Sequence, residues 1–163
     1  ISIDWMENLH RQLFDGFYCG SIDFQDDFAK LTESPIELKF LITLEFYCRL
    51  TNSKLRICAR NSEFLEDTDG YFIFPQYIWH EYRSDFCFRS SQCEKKILIE
   101  CDGRDFHSTE EQIFRDAARD REAGFAGFCI LRLPGSTSHN NPINCVWALF
   151  ESIHMLTEVE RAA

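Results

Sequence analysis

The run KKILIECDGRDFH, Lys95 to His107, restricts the fold more than any other stretch of the chain. Ile97, Leu98 and Ile99 make a short apolar segment of the kind that fills a sheet interior, and it ends on two carboxylates, Glu100 and Asp102. Residues i and i+2 of a strand point to one face, so these acids project together from the strand end. Burying an unpaired carboxylate is costly, so a glutamate directly behind ILI must protonate or find a cation. Hard divalent ions take such oxygen ligands, and one of them would relieve the repulsion between the two acids. Asp102-Gly103 also has a plain reading as a turn dipeptide in which the aspartate bonds its own backbone.

The rest of the chain supplies alternating element types. Asp4 to Cys19 repeats Met6, Leu9, Leu13 and Phe17 at helical spacing, and SPIELKFLITLEFYCRL repeats Ile36, Phe40, Leu44 and Tyr47. Ser34, Pro35 and Glu37 open that second helix as an N-cap, a first-turn proline and the return acid of a capping box. From Tyr71, YFIFPQYIWHEYRSDFCF has the aromatic and β-branched texture of two strands or one long bent strand. Ser108 with Glu111 predicts a second capping box, before a helix ending near Gly124 or Gly127. GFCILRLP reads as a further buried strand, and Asn141-Pro142 opens a last helix carrying Ile143, Val146, Leu149 or Phe150, and Ile153. This pattern predicts an α/β protein with a central mixed sheet flanked by helices. With 163 residues, 45% of them hydrophobic, and no low-complexity linker, a single domain over 1–163 is expected. Its parts are a helical extension over about 1–30, a core over about 34–134 and a final helix over about 142–160.

A formal charge of −10 argues against indiscriminate nucleic-acid binding, since phosphate contacts need local positive charge. The charge is uneven, however: Arg104, Arg115, Arg119, Arg121 and Arg132 follow the acidic motif closely. The eight cysteines stand singly, several within apolar runs, which predicts buried free thiols and a cytoplasmic location. No apolar run approaches the roughly 20 residues of a membrane span, so no membrane partner is expected.

Asp85, in YRSDF, precedes Glu100 by a spacing that suits a hairpin, which places the two acids side by side. Asp85, Glu100-Cys101-Asp102, Gly103 and Phe106-His107 together resemble the restriction-endonuclease-like PD-(D/E)xK superfamily. The nearest likeness is to very-short-patch-repair endonucleases and related single-domain proteins with an E-x-D-G-x-x-H signature. The resemblance runs from about Ser34 to Pro134 and implies the three-layer fold of that family, with its sheet between helices. It implies that Asp85 and Glu100 hold Mg²⁺ or Mn²⁺, with the Cys101 carbonyl as a further ligand and Glu37 reaching the same ion. The chain departs from the family pattern at Ser84, where proline is usual, and at Asp102, where lysine is usual. Asp102 then serves as another metal ligand, or His107 takes over the lysine's part.

The implied function is Mg²⁺-dependent hydrolysis of DNA phosphodiesters, in DNA repair, restriction or mobile-element biology. Asp85, Glu100, Asp102 and His107 are its catalytic set, and Arg104, Arg119, Arg121 and Gln76 are candidates to meet nucleic acid. The alternative is a silent nuclease-fold module that binds nucleic acid or protein, within a larger chain or with a protein partner. Hydrolysis of another phosphate substrate is a third class. The structural readings are a capping role for Glu37, solvated ion pairs for Asp116 and Asp120 with Arg115 and Arg119, and a core role for Phe72, Phe74, Tyr77 and Trp79.

Overall fold

Ser34 begins the first long helix in extended backbone, φ −139° and ψ 155°, and its Oγ accepts the Glu37 N–H at 3.2 Å. Glu37 returns its carboxylate to the N–H of Glu33 at 2.9 Å, one residue ahead of the expected cap. In this computed structural model the described residues are 28–58, 69–102 and 109–162, without the side chains of Asp102, Ser138 and His139. The helical segment expected over Asp4 to Cys19 lies outside them.

The elements run α1 (Pro35–Leu50), β1 (Leu55–Ile57), β2 (Tyr71–Trp79), β3 (Tyr82–Ser90), β4 (Lys96–Asp102), α2 (Glu110–Phe125), β5 (Phe128–Pro134), α3 (Gly135–Asn140) and α4 (Pro142–Ala162). The aromatic stretch is therefore two strands, joined at His80 and Glu81. Short β1 and α3 carry no pattern long enough to have been read in the sequence. The α2 cap sits one residue later than expected. Thr109 Oγ accepts the Gln112 N–H at 3.3 Å, and Gln112 Oε1 accepts the Thr109 N–H at 2.9 Å. The sequence STEEQ offers two overlapping boxes, and the helix uses the second. Its end matches expectation, with Phe125 last and Gly127 at φ 82°.

The strands form one mixed sheet in the order β1-β2-β3-β4-β5. β2, β3 and β4 are antiparallel neighbours, while β1 runs parallel to β2 and β5 parallel to β4. One face buries Ile73, Phe86, Phe88, Ile97 and Ile99 against Phe40, Leu41 and Leu44 of α1 and Val146 and Leu149 of α4. The opposite face packs Phe72, Phe74, Trp79, Cys87 and Leu98 against Ala123 of α2. The expected final-helix residues Ile143, Val146, Leu149 and Ile153 are all buried. At the far end of α4, the Glu160 carboxylate accepts the N–H groups of Glu94 and Lys95 at 3.0 and 3.1 Å, which pins the β3–β4 turn.

Cys48, Cys58, Cys87, Cys93, Cys101, Cys129 and Cys145 are free thiols, as their scattered placement implied. Burial pushes Cys48 and Cys87 up to about 12, so both stay protonated and unreactive near neutrality. No helix among the described residues is long and apolar enough to cross a membrane.

Candidate functional site: a polar row across the sheet

Extending the strand registers by one step gives a single transverse row of unusual composition. Phe86 faces Pro75 on β2 and Ile99 on β4, an apolar row. The next row sets Asp85 between Gln76 and Glu100, and Glu100 is paired with Arg132 on β5. Regular pairing lapses at Asp85 on both sides: β2–β3 resumes only at Tyr77 and Ser84, and β3–β4 ends at Phe86 and Ile99. In place of a strand carbonyl, Asp85 Oδ2 accepts the Cys101 N–H at 2.6 Å. A carboxylate thus lies between two strands where the ladder opens.

The same row breaks the alternation of faces. Phe72 and Phe74 lie on the α2 face, and so do Tyr77 and Trp79, which requires an odd step between Phe74 and Tyr77. Gln76 supplies it with φ 51°, a left-handed conformation that costs a non-glycine residue about 1 kcal/mol or more. Ser84 and Cys87 of β3 likewise look toward one face although three residues apart. Such interruptions re-aim side chains within a sheet. The aromatic residues are core, as expected, while Gln76 turns to the opposite face.

On the α2 face, Glu100 is 8% exposed and its cation is Arg119. The guanidinium meets both carboxylate oxygens, Nη1 lying 3.2 Å from Oε2 and Nη2 bonding Oε1. Nη2 also donates to Ser84 Oγ at 3.1 Å and to the Arg83 carbonyl at 3.0 Å. Tyr82 and Trp79 stack beside it, at 5.5 and 6.0 Å from ring centroid to Cζ. Ser84 accepts the Trp79 Nε1–H and bonds Glu100 Oε1, both at 3.2 Å. Ser84 thus links Trp79, Glu100 and Arg119. Arg119, a candidate phosphate contact in the sequence, here supplies the cation without which the buried Glu100 carboxylate would stand unpaired.

Arg132 approaches Glu100 Oε2 at 3.9 Å and grips Asp120 of α2 with both terminal nitrogens, at 2.9 and 2.7 Å. Asp120 therefore pairs across to β5 rather than along its own helix. The Arg132 hydrogen bonds hold its carboxyl below the usual 3.8. A depressed carboxyl adds stability above its unfolded value and loses it as pH falls through the folded one. The pair is partly exposed, so Asp120→Asn is expected to cost no more than about 1 kcal/mol at pH 7. The difference from wild type should shrink as pH falls below the usual carboxylate range and vanish once the folded carboxyl is protonated, in paired denaturant melts.

On the α1 face, Gln76 is 5% exposed, and its Nε2 donates to Glu37 Oε2 at 2.7 Å. This bond fixes the amide orientation, because the flipped amide would set oxygen against oxygen. Gln76 Oε1 is then buried without a hydrogen-bond partner among the described residues, a deficit that ordinarily costs about 1–3 kcal/mol. Glu37 caps α1, as one of its sequence readings held, and touches the row through Gln76.

The fold thus gathers Glu37, Gln76, Asp85, Glu100 and Cys101 at one end of β2–β4 and directs them to different sides. Arg121 is exposed on α2, apart from this group. Arg104, His107 and the Asp102 side chain lie outside the described residues. Among the described residues, no three His, Cys, Asp or Glu side chains form a ready metal cluster. Asp85 and Glu100 fall at adjacent row positions, oxygen donors of the type a hard cation takes, but Gln76 and Glu37 turn to the other side of the sheet. Arg119 holds the position on Glu100 that such an ion needs. The sequence marked Ser84 as the usual proline position and Arg119 as a phosphate contact, but nothing in it joined either of them, or Arg132, to Glu100. The chain matches no protein-family model, no curated protein and no solved structure.

Proposed function

We propose that the polar row is the active centre of a Mg²⁺- or Mn²⁺-dependent endonuclease of the restriction-endonuclease-like fold, acting on DNA. The observation that carries this reading is the placement of Asp85 opposite Glu100 where the β3–β4 ladder opens. The element order supports it: a helix bearing Glu37, three antiparallel strands bearing Asp85 and Glu100, then a helix and a strand parallel to the third. That is the order in which the sequence resemblance arranges its acids.

Asp85, Glu100, the Cys101 carbonyl and Asp102 are the oxygen ligands in this reading, with Glu37 reaching in from α1. A divalent ion held by these residues would supply Lewis-acid polarisation of the phosphate and a more acidic water. His107, ordinarily near ~6.5, would serve as the proton acceptor. Arg121, exposed on α2, and Arg104 meet backbone phosphates. Arg119 keeps the Glu100 carboxylate oriented and neutralised while no ion is bound.

The inward Arg119 also favours a second reading, in which the guanidinium has replaced the ion and the fold is a silent binding module. Supercoiled plasmid incubated with the purified protein separates the two. The nuclease converts it to open-circular and linear forms in Mg²⁺ or Mn²⁺ and stops when the ion is chelated. Intact plasmid under every condition supports the silent module.

A further inference from the structure

Helix α2 is amphipathic in the opposite sense to α1 and α4. Its side toward the sheet carries Arg119, bonded to Glu100, and Asp120, bonded to Arg132, and of its described residues only Ala123 is buried. Phe114 and Phe125 stand 74% and 90% exposed. Phe114, Ala118, Arg121 and Phe125 follow one another at intervals of four, three and four residues, the spacing of one continuous seam along a helix. At roughly 100° per residue this seam lies about 170° from Ala123, so it faces away from the sheet. Beside it, Gly124 has open space where a Cβ would stand, and the packing of a single chain does not call for a glycine there.

We propose that this seam joins two copies of the chain through an antiparallel α2 pair about a two-fold axis. The seam is complementary to itself. An axis passing between Arg119 and Asp120 sets Phe114 against the partner's Phe125 and Ala118 against the partner's Arg121. Two rings then fill each end, and each arginine stem lies over an alanine while its guanidinium reaches the edge, still open to phosphate. Charge selects the same register. Exposed Arg115 and Glu122 flank the seam on one side, and the axis sets each of them against its opposite on the other copy. On the other flank Ala117 meets the partner's Gly124, which lets the backbones approach closely. The contact runs the length of a 16-residue helix, about 24 Å, which is short of a permanent interface and gives a reversible dimer. The pairing is independent of the metal centre.

Sedimentation equilibrium of the purified protein from about 1 to 300 μM tests the pair, with folding followed by circular dichroism. The average mass is expected to rise with concentration from one chain toward two. Arg115→Glu and Glu122→Arg each set like charges face to face and are expected to weaken the dimer about 10-fold or more, while the double variant R115E/E122R restores it. Phe114→Ser is expected to leave monomer alone. These side chains are exposed, so each variant should keep the wild-type circular dichroism. Wild type that stays monomeric at every concentration overturns the proposal, whether residues 1–27 or another protein cover the seam. So does a dimer that neither charge reversal weakens, or one that the double variant fails to recover.

Discussion

Arg119→Met is expected to destabilise the ion-free protein by about 3 kcal/mol, because it leaves a buried carboxylate without its cation. The side chains of Arg119 and Glu100 are 18% and 11% exposed, so water cannot readily replace the missing partner. Ser84 remains as a neutral partner at 3.2 Å, and Arg132, at 3.9 Å, is already committed to Asp120. Methionine restores the packing against Tyr82 and Trp79 but no charge. In a domain of this size the loss corresponds to a fall of roughly 10 °C in melting temperature. Arg119→Met combined with Glu100→Leu should recover most of it, since replacing a whole buried pair is far less damaging than breaking one. Magnesium sharpens the result. If the ion takes Arg119's place on Glu100, millimolar Mg²⁺ raises the melting temperature of Arg119→Met by more than that of wild type. The silent-module reading predicts the same loss with no such rescue.

Asp85→Asn and Glu100→Gln should each reduce plasmid cleavage about a thousandfold, equivalent to ~4 kcal/mol of barrier. Both variants keep shape and hydrogen-bonding capacity. An asparagine oxygen can still accept the Cys101 N–H that Asp85 now accepts at 2.6 Å, and a glutamine can still bond Ser84. What each removes is a negative charge from the row. Melting curves measured beside the cleavage assay separate loss of chemistry from loss of fold. Asp85→Asn should melt close to wild type, whereas Glu100→Gln leaves Arg119 partly unbalanced and should melt lower. Full cleavage by either variant contradicts the proposed roles.

The large periodic elements were legible because hydrophobic spacing dictates them. Phe40 and Leu44 of α1, the ILI run of β4 and Ile143, Val146, Leu149 and Ile153 of α4 bury as their pattern required. Asp85 and Glu100 were legible for another reason: their spacing fits a hairpin, and the register brings them opposite each other. Three things were not. The α2 cap slipped by one residue because Ser108 and Thr109 both head acceptable boxes. Arg119 lies 19 positions from Glu100, and helical spacing says which face it takes but not which carboxylate it meets. The kink at Gln76 has no signature, since a glutamine at φ 51° is held by its surroundings rather than by its own preference. Its trace was the aromatic phase, Phe72 and Phe74 against Tyr77 and Trp79, which an unbroken strand cannot place on one face.

The most direct test of the metal centre is anomalous diffraction from crystals grown with Mn²⁺. The proposed metal role requires one strong peak between the Asp85 and Glu100 carboxylates, with the Arg119 guanidinium withdrawn from Glu100. An intact Arg119–Glu100 pair in saturating Mn²⁺, with no peak at the row, would contradict it.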